Sequence, residues 1–395
     1  MELDQRRRDL LPKVEDGRAE QNRASEEIAK AKGEGADATE LLGRMKVLSA
    51  EIKSLEAELG QVEADCNSIA ASLPNLPAAE APDGDTEEDA VVLREVGDRP
   101  EFDFEATDHL TLAERHGWIE MKAAAEASGA RFSYLVGDLV MVELALTRWV
   151  VETVRSEGFE PVVPPVLVRE DALYGTGFFP GEREMIYEIP KDELFLVGTS
   201  EVSLASLHAD QILEESELPL RYAGISTCFR REAGAAGKDT RGIFRVHQFD
   251  KVEMFSFCTP DSSQTEQEKV LAIQEGILGQ LGIPYRVVDI PVGDLGAPAA
   301  RKFDCEGWIP SEERYRELTS CSNTTDYQAR RLAARFRPAG EGKTQPEPMH
   351  TVNGTAVAIG RTLIALIENG QRSDGTVDLP EVLTAAGAPA SIPAG

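Results

Sequence analysis

The sequence has few of the residues that build metal centres, disulfide frameworks and membrane spans. Its 395 residues include five cysteines and five histidines, and no two cysteines follow a Cys-x-x-Cys spacing. This composition argues against zinc and is typical of reduced thiols in the cytoplasm. No apolar run reaches the roughly 18 residues of a membrane helix, and no apolar signal-peptide core follows the N-terminus. We therefore expect a cytoplasmic protein without zinc and without membrane association, long enough for two domains.

Positive charge is also scarce. Lys and Arg number 41 against 70 Asp and Glu, which gives a formal net charge of −29. A nucleic-acid-binding protein is expected to carry a basic footprint, so net charge alone argues against such a partner. Local clusters of cations can override this argument, because charges are screened beyond about 8 Å at physiological salt. The acidity is equally compatible with solubility or with a halophilic adaptation.

The most informative stretch is residues 228–253, where two β-like runs flank a loop rich in glycine and alanine. The pattern predicts an antiparallel hairpin, in which alternate side chains share a face. One face carries cations, an aromatic ring and carboxylates, namely Arg230 and Glu232 in the first run and Arg245, His247, Phe249, Lys251 and Glu253 in the second. Arginines suit phosphates, an aromatic ring suits a base and a carboxylate suits an amine, so this face favours a nucleotide. A salt-bridged surface hairpin is the alternative.

Residues 1–72 predict two helices joined by a turn at Gly33, Gly35 and Asp37. The second helix carries a heptad seam with spacings of four and three, formed by Leu41, Met45, Leu48, Ile52, Leu55, Leu59, Val62, Cys66, Ile69 and Leu73. The first carries a weaker seam of Leu3, Leu10, Val14 and Ile28, interrupted by Arg7, Gly17 and Gln21. The sequence therefore predicts an antiparallel helical hairpin. A dimerising coiled coil with no nucleic-acid role is the alternative.

Three further segments complete the pattern. Residues 74–108 are rich in proline and acidic residues, which is typical of a linker, and they end in a short β run. Residues 137–157 have helical apolar spacing and lead into residues 158–168, an interface element or an ordinary buried helix and strand. Residues 195–202 predict a strand that places Thr199 and Glu201 on one face, either in a site or as surface polar residues.

Residues 228–253 resemble motif 2 of the class II aminoacyl-tRNA synthetases, in the form found in bacterial seryl-tRNA synthetases. Three other stretches match that family in the same order, namely Gly-Thr-Ser-Glu-Val (198–202), Tyr-Arg-Glu-Leu-Thr-Ser-Cys-Ser-Asn (315–323) and Val-Asn-Gly-Thr-Ala-Val-Ala-Ile-Gly-Arg-Thr (352–362). Residues 158–168 resemble motif 1, with Pro165 at the position of its proline. The resemblance covers nearly the whole chain. One departure is Ser203, where a proline is common.

The resemblance implies an α+β fold, with an antiparallel sheet core flanked by helices. An N-terminal antiparallel helical-hairpin (coiled-coil) arm would precede this core. The expected domains are a tRNA-binding arm over residues 1–73, a linker and start of the core over 74–108, and a class II catalytic domain over 109–395. The family usually has a further short helical segment before the arm, so the chain is expected to start inside that segment.

The resemblance also implies a serine–tRNA ligase, which activates serine with ATP as seryl-adenylate and transfers it to tRNA(Ser). Arg230, Arg245 and Arg361 would be catalytic. ATP would be bound by Arg230, Glu232, Arg245, Phe249, Glu317, Ser320 and Arg361. Serine would be bound by Thr199, Glu201, Arg230, Glu253, Asn353 and Thr355.

Magnesium is implied as well, with Glu317 and Ser320 as its ligands. These two residues are three apart, so a regular strand would point them to opposite faces. A bulge or a strand end must therefore lie between them if both bind one ion.

The expected partners are serine, tRNA(Ser) through the arm, and a second copy of the chain in a homodimer. The same fold could instead serve a carrier protein or a dedicated biosynthetic or resistance pathway. Carrier-protein ligases of this kind resemble synthetases without the arm, so the heptad seam favours tRNA. A catalytically inactive regulatory paralogue would usually lack motif arginines, but Arg230, Arg245 and Arg361 are all present.

Overall fold

The computed structural model describes residues 1–233, 239, 241–340 and 344–393. The chain divides into two compact units, Met1–Leu73 and Pro74–Gly395. The α-helices are α1 (Glu2–Gly33), α2 (Thr39–Ser72), α3 (His109–His116), α4 (Met121–Ser128), α5 (Asp138–Ser156), α6 (Glu170–Thr176), α7 (Glu201–Ala205), α8 (Ser263–Gln280), α9 (Tyr327–Arg331), α10 (Ile359–Gly370) and α11 (Glu381–Ala385). Among the described residues, none of the helices has the length and apolar character needed to cross a bilayer.

The β-strands range from two to twelve residues. They are β1 (Val91–Val96), β2 (Ile119–Glu120), β3 (Tyr134–Leu135), β4 (Glu160–Val162), β5 (Leu167–Val168), β6 (Glu188–Ile189), β7 (Leu194–Leu196), β8 (Ile212–Glu214), β9 (Leu220–Phe229), β10 (Gln248–Cys258), β11 (Tyr285–Asp289), β12 (Arg301–Ile309), β13 (Arg314–Thr325), β14 (Arg335–Arg337), β15 (Glu347–Pro348), β16 (His350–Ala358), β17 (Val377–Asp378) and β18 (Ser391–Ile392).

The first unit is the predicted helical hairpin of α1 and α2. Its buried cluster contains Leu10 and Val14 from α1 and Leu59 and Val62 from α2. Gly17 interrupts the apolar pattern for a steric reason, because a Cβ at this position would lie 2.9 Å from the Ile52 side chain. The seam is shorter than expected, since Ile69 and Leu73 are 54% and 58% exposed.

The second unit is built on an eight-stranded sheet with the order β1-β11-β12-β13-β16-β10-β9-β4. Neighbouring strands are antiparallel except β4, which runs parallel to β9. One face packs against helices. A Cβ on Gly354 of β16 would lie 2.4 Å from Val270 of α8, so helix and sheet are in direct contact there. The antiparallel core with flanking helices confirms the predicted fold class.

The predicted hairpin of residues 228–253 is present, but its strands are displaced. β9 and β10 pair antiparallel, with Cys228 opposite Phe249. β9 ends at Phe229, and Glu232 has a φ of +50°, which is outside the strand region. β10 begins only at Gln248. Arg230 and Glu232 therefore lie beyond the end of β9, and Arg245 and His247 lie before the start of β10. Most of the glycine- and alanine-rich loop predicted between the two strands lies outside the described residues.

The strand expected over residues 195–202 is wrong beyond Leu196, where β7 ends. The backbone N–H of Glu201 donates to Thr199 Oγ1 at 3.3 Å, and Leu204 N–H donates to the carbonyl of Ser200 at 2.9 Å. Short polar side chains often bond nearby backbone groups in this way and start a helix instead of extending a strand. Thr199 and Glu201 therefore lie at the start of α7.

The irregularity required between Glu317 and Ser320 is present in β13. Thr319 lies opposite Cys305 and Glu317 lies opposite Glu306, so Leu318 is an extra residue in the ladder. Such a bulge shifts the alternation of side chains by one position. Glu317 and Ser320 consequently face the same side of the sheet, and both line the cavity described below.

Candidate active site

A cavity of about 290 Å³ lies against the central strands of the second unit. Its walls come from the loop before α7, the β9–β10 hairpin, β12, β13, β16 and the start of α10. All twelve residues proposed from the sequence line it, namely Thr199, Glu201, Arg230, Glu232, Arg245, Phe249, Glu253, Glu317, Ser320, Asn353, Thr355 and Arg361. Four separated stretches of sequence thus meet at one place.

One end of the cavity holds a buried ion pair on β10. Lys251 Nζ lies 2.5 Å from Glu253 Oε2 and donates to Thr199 Oγ1 at 2.8 Å. Thr355 Oγ1 on β16 donates to the same Glu253 oxygen at 3.1 Å. The side chains of Lys251 and Glu253 are 7% and 3% exposed. A buried charge of this kind needs its partners, since leaving it unpaired is costly.

Glu201 lies beside this pair and titrates near neutrality. Its Oε1 accepts from Gln328 Nε2 at 2.7 Å and from Asn353 Nδ2 at 3.0 Å. Burial, together with the negative charge of Glu253, raises the pKa of Glu201 to about 7. The carboxyl is therefore charged above that pH and neutral below it.

The segments that flank β9 and β10 contribute two arginines to the cavity wall, Arg230 and Arg245. Arg230 Nε donates to the carbonyl of Gly198 at 3.1 Å, a bond that does not use the two terminal nitrogens. Its guanidinium carbon lies 5.3 Å from the centre of the Phe249 ring. Arg245 donates to Glu232 Oε2 at 2.8 Å. His247 was predicted to share a face with Arg245 and Phe249. Its ring instead contacts the backbone, with Nδ1 2.8 Å from the carbonyl oxygen of Arg230.

The third side of the cavity combines a carboxylate with two cations. Arg361 NH1 donates to the Glu317 carbonyl at 3.0 Å and lies 3.2 Å from Glu317 Oε2. Burial favours the neutral acid, but the charges of Arg361 and Lys302 prevail and lower the pKa of Glu317 to about 2. The Glu317 side chain still exposes 42% of its surface, and it lines the cavity. This carboxylate is thus ionised and open to a ligand.

The lining residues that were not proposed from the sequence include Lys251, Phe244 and Lys302. Lys251 and Glu253 are two residues apart, so the sequence places Lys251 on the charged face of β10. The sequence pattern does not predict which residues Lys251 contacts. Arg361 and Arg316 lie 4.6 and 3.8 Å from the centre of the Phe244 ring. Lys302 Nζ is 3.3 Å from Asp304 Oδ2. Burial disfavours the ammonium, yet Asp304 and Glu317 raise the pKa of Lys302 well above its usual value.

Two family models match the chain. Residues 1–77 match the family model described as the seryl-tRNA synthetase N-terminal domain. Residues 186–370 match the tRNA synthetase class II core domain (G, H, P, S and T).

Full-length relatives agree with these matches. The chain is 49% identical over 380 residues to a serine–tRNA ligase of Acidothermus cellulolyticus, covering 96% of this chain and 89% of the relative. It is 46% identical over 383 residues to that of Nocardia farcinica, covering 97% and 90%. Among solved structures, seryl-tRNA synthetase from Pyrococcus horikoshii complexed with ATP superposes with a TM-score of 0.92 at 37% identity, covering 100% of this chain and 92% of the other.

Proposed function

The chain belongs to the seryl-tRNA synthetases and is a serine–tRNA ligase, and we propose that the cavity of the second unit forms seryl-adenylate from serine and ATP. The observation that supports this assignment of the site is the convergence of four separated motifs on one cavity of about 290 Å³. Buried carboxylates and three arginines line the cavity, which suits an amino acid joined to a nucleotide.

The end around Glu253 and Glu201 is proposed to bind serine. Two buried carboxylates suit the α-ammonium group, and Thr199, Asn353 and Thr355 surround the space for a small polar side chain. Thr355 donates its proton to Glu253, so its oxygen lone pairs remain able to accept a bond from the serine hydroxyl. A site built for a hydroxyl rejects an analogue that lacks it by roughly 10⁴-fold, so alanine is excluded. Threonine is excluded by the size of the pocket.

The arginine end is proposed to bind ATP and to stabilise the transfer. The planar fork of Arg230 would hold the serine carboxylate and the α-phosphate together, and Arg245 and Arg361 would bind the outer phosphates. A carboxylate oxygen of serine attacks the α-phosphorus. The bond to the bridging oxygen breaks, and pyrophosphate leaves with the electron pair. Positioning and charge stabilisation by these arginines lower the barrier. Phe249 would stack on adenine, and Glu232 would accept from its amine.

Glu317 and Ser320 are proposed to hold magnesium. The donor set fits a hard cation, because Glu317 is ionised and the bulge at Leu318 brings both oxygens to one side. When bound, the metal neutralises negative charge on the phosphates. Lys302, fixed by Asp304, adds a further positive charge at this end of the cavity.

Two partner surfaces are proposed beyond the small substrates. The hairpin arm would bind tRNA(Ser) through cations of α1 and α2, namely Arg6, Arg7, Arg8, Lys13, Arg18, Arg23, Lys30, Lys32, Arg44, Lys46 and Lys53. A second copy of the chain would cover α5 and the following residues as far as 168. Exposed apolar side chains there are Met141 at 47%, Leu144 at 59% and Val163 at 82%. Such surfaces favour a protein interface.

The assignment of Arg230 is tested by serine-dependent ATP–pyrophosphate exchange. Removing one group that stabilises the transition state typically lowers the rate by about 10²–10³-fold, which is the loss expected for Arg230→Ala. Arg231→Ala is the matched control, since Arg231 is the exposed neighbour and does not line the cavity. Folded Arg230→Ala protein with the exchange rate of the control would contradict the assignment.

A further inference from the structure

A buried histidine outside the cavity connects two of its walls. His109 is the first residue of α3, and its side chain is 11% exposed. Its Nδ1 lies 3.0 Å from Glu368 Oε1, and its backbone N–H donates to the same oxygen at 3.0 Å. Glu368 Oε2 accepts from the backbone N–H of Ser311 at 3.1 Å, and the Glu368 side chain is 1% exposed. Both oxygens of this buried carboxylate therefore have partners.

The other ring nitrogen of His109 contacts the β9–β10 hairpin. The backbone N–H of Ile243 donates to His109 Nε2 at 3.4 Å. An accepting Nε2 assigns the proton to Nδ1, where it is donated to Glu368. Gly242 has a φ of +80°, and a Cβ there would lie 2.2 Å from Nε2. The hairpin backbone thus lies so close to the imidazole that no side chain fits between them.

Both contacts of His109 lead to residues that line the cavity. Gly242 and Ile243 directly precede Phe244 and Arg245. Glu368 lies in α10, whose first turn carries Arg361. The pair of His109 and Glu368 therefore links the segment that leads into β10 to α10, the helix that carries Arg361. Arg245 and Arg361 are the two residues proposed above to bind the outer phosphates of ATP.

We propose that His109 is a positioning residue for ATP, which fixes Phe244 and Arg245 relative to Arg361 through its bonds to Ile243 and Glu368. This inference rests on the proposed function of the cavity and extends it to a residue that touches neither substrate. None of the residues in these contacts is among those proposed to bind serine, so serine binding should not depend on them.

Two amide substitutions, each of which can mimic one ring nitrogen of histidine, separate the two bonds. In His109→Asn the amide nitrogen replaces Nδ1 and can still donate to Glu368, but nothing accepts from Ile243. In His109→Gln the amide oxygen replaces Nε2 and can still accept from Ile243. Loss of one net hydrogen bond predicts a roughly threefold to tenfold weaker ATP affinity for His109→Asn, with serine affinity unchanged. His109→Gln should stay close to wild type in ATP affinity, because the backbone N–H of residue 109 still donates to Glu368 Oε1 and keeps the link to α10. A merely structural histidine would give both variants the same ATP affinity at similar losses of thermal stability.

A glycine pair provides a second test that leaves His109 intact. Gly242→Ala should weaken ATP binding, because the new methyl group displaces the hairpin from the imidazole. Gly282→Ala is the matched control, since Gly282 also has a positive φ, +65°, but has open space around its Cβ position. Should His109→Asn fail to fold, this comparison decides alone.

ATP affinity is measured by calorimetry, and serine activation separately by exchange. Equal ATP affinities of His109→Asn and His109→Gln, or of Gly242→Ala and Gly282→Ala, would overturn the inference. Wild-type protein that binds ATP without serine-dependent exchange would overturn the proposed function instead, and the variants would still decide the role of His109.

Discussion

Replacing Lys251 by methionine tests the buried ion pair on which the serine end of the cavity depends. Methionine keeps most of the volume of lysine and removes its charge. Glu253 would then be left with only the Thr355 hydroxyl among the contacts described above. Breaking a buried pair by removing one partner typically costs about 3–5 kcal/mol, because the remaining charge is uncompensated. For a unit of this size such a loss lowers the melting temperature by more than about 5 °C.

Lys269→Met is the control for this prediction. Lys269 pairs with Glu157 at 2.8 Å, but the two side chains are 29% and 47% exposed. An exposed pair contributes roughly 0–1 kcal/mol, so the same chemical change should hardly alter the melting temperature. Glu253→Gln added to Lys251→Met should recover part of the loss, since it removes the unpaired charge. Thermal unfolding of the four proteins decides, and equal losses for the two single lysine variants would refute the reasoning.

Two further predictions concern pH and the arm. Because burial and Glu253 raise the pKa of Glu201 to about 7, the KM for serine should rise as the pH falls through 7 and the carboxyl becomes neutral. Glu201→Gln should flatten that profile in exchange assays, and parallel profiles would exclude the role of Glu201. In the arm, Arg6 and Arg18 each lie 2.7 Å from a glutamate of α2, Glu58 and Glu56. Changing Arg23, Lys30 and Lys32 to Gln should therefore weaken tRNA binding. The slope of log K against the logarithm of the salt concentration should become shallower by about one for each lost phosphate contact. Changing Arg6 and Arg18 should have a smaller effect. Equal slopes in filter-binding titrations would count against binding by the arm.

Local sequence pattern was sufficient where one periodicity dominates. The heptad spacing of residues 41–73 predicts α2, and the apolar spacing of residues 137–157 predicts α5, each to within a residue or two. The three-residue separation of Glu317 and Ser320 was also sufficient to require the bulge at Leu318. In these cases the geometry follows from neighbours along the chain.

Pattern failed where a side chain competes with regular structure or where partners are distant. Thr199 accepts from the backbone of Glu201 and ends the strand expected there. The alternation of β10 predicts that Lys251 lies on the charged face. Its contacts with Thr199 and Glu253 depend on the packing of the loop before α7 against β10, which the alternation does not predict. The pair of His109 and Glu368 joins residues 259 positions apart, and no spacing rule connects them. The seam of α2 was overestimated at Ile69 and Leu73, because apolar spacing alone does not show where a partner helix ends.

The most direct test of the account is aminoacylation of purified tRNA with radiolabelled serine and ATP, with the protein at catalytic concentration. We predict that label enters acid-precipitable RNA, is released by mild base as expected for an ester, and appears on serine tRNA but not on other tRNAs. The Arg230→Ala variant should give none above background. Robust serine-dependent pyrophosphate exchange without any label on tRNA would contradict the account and would indicate another acceptor, such as a carrier protein.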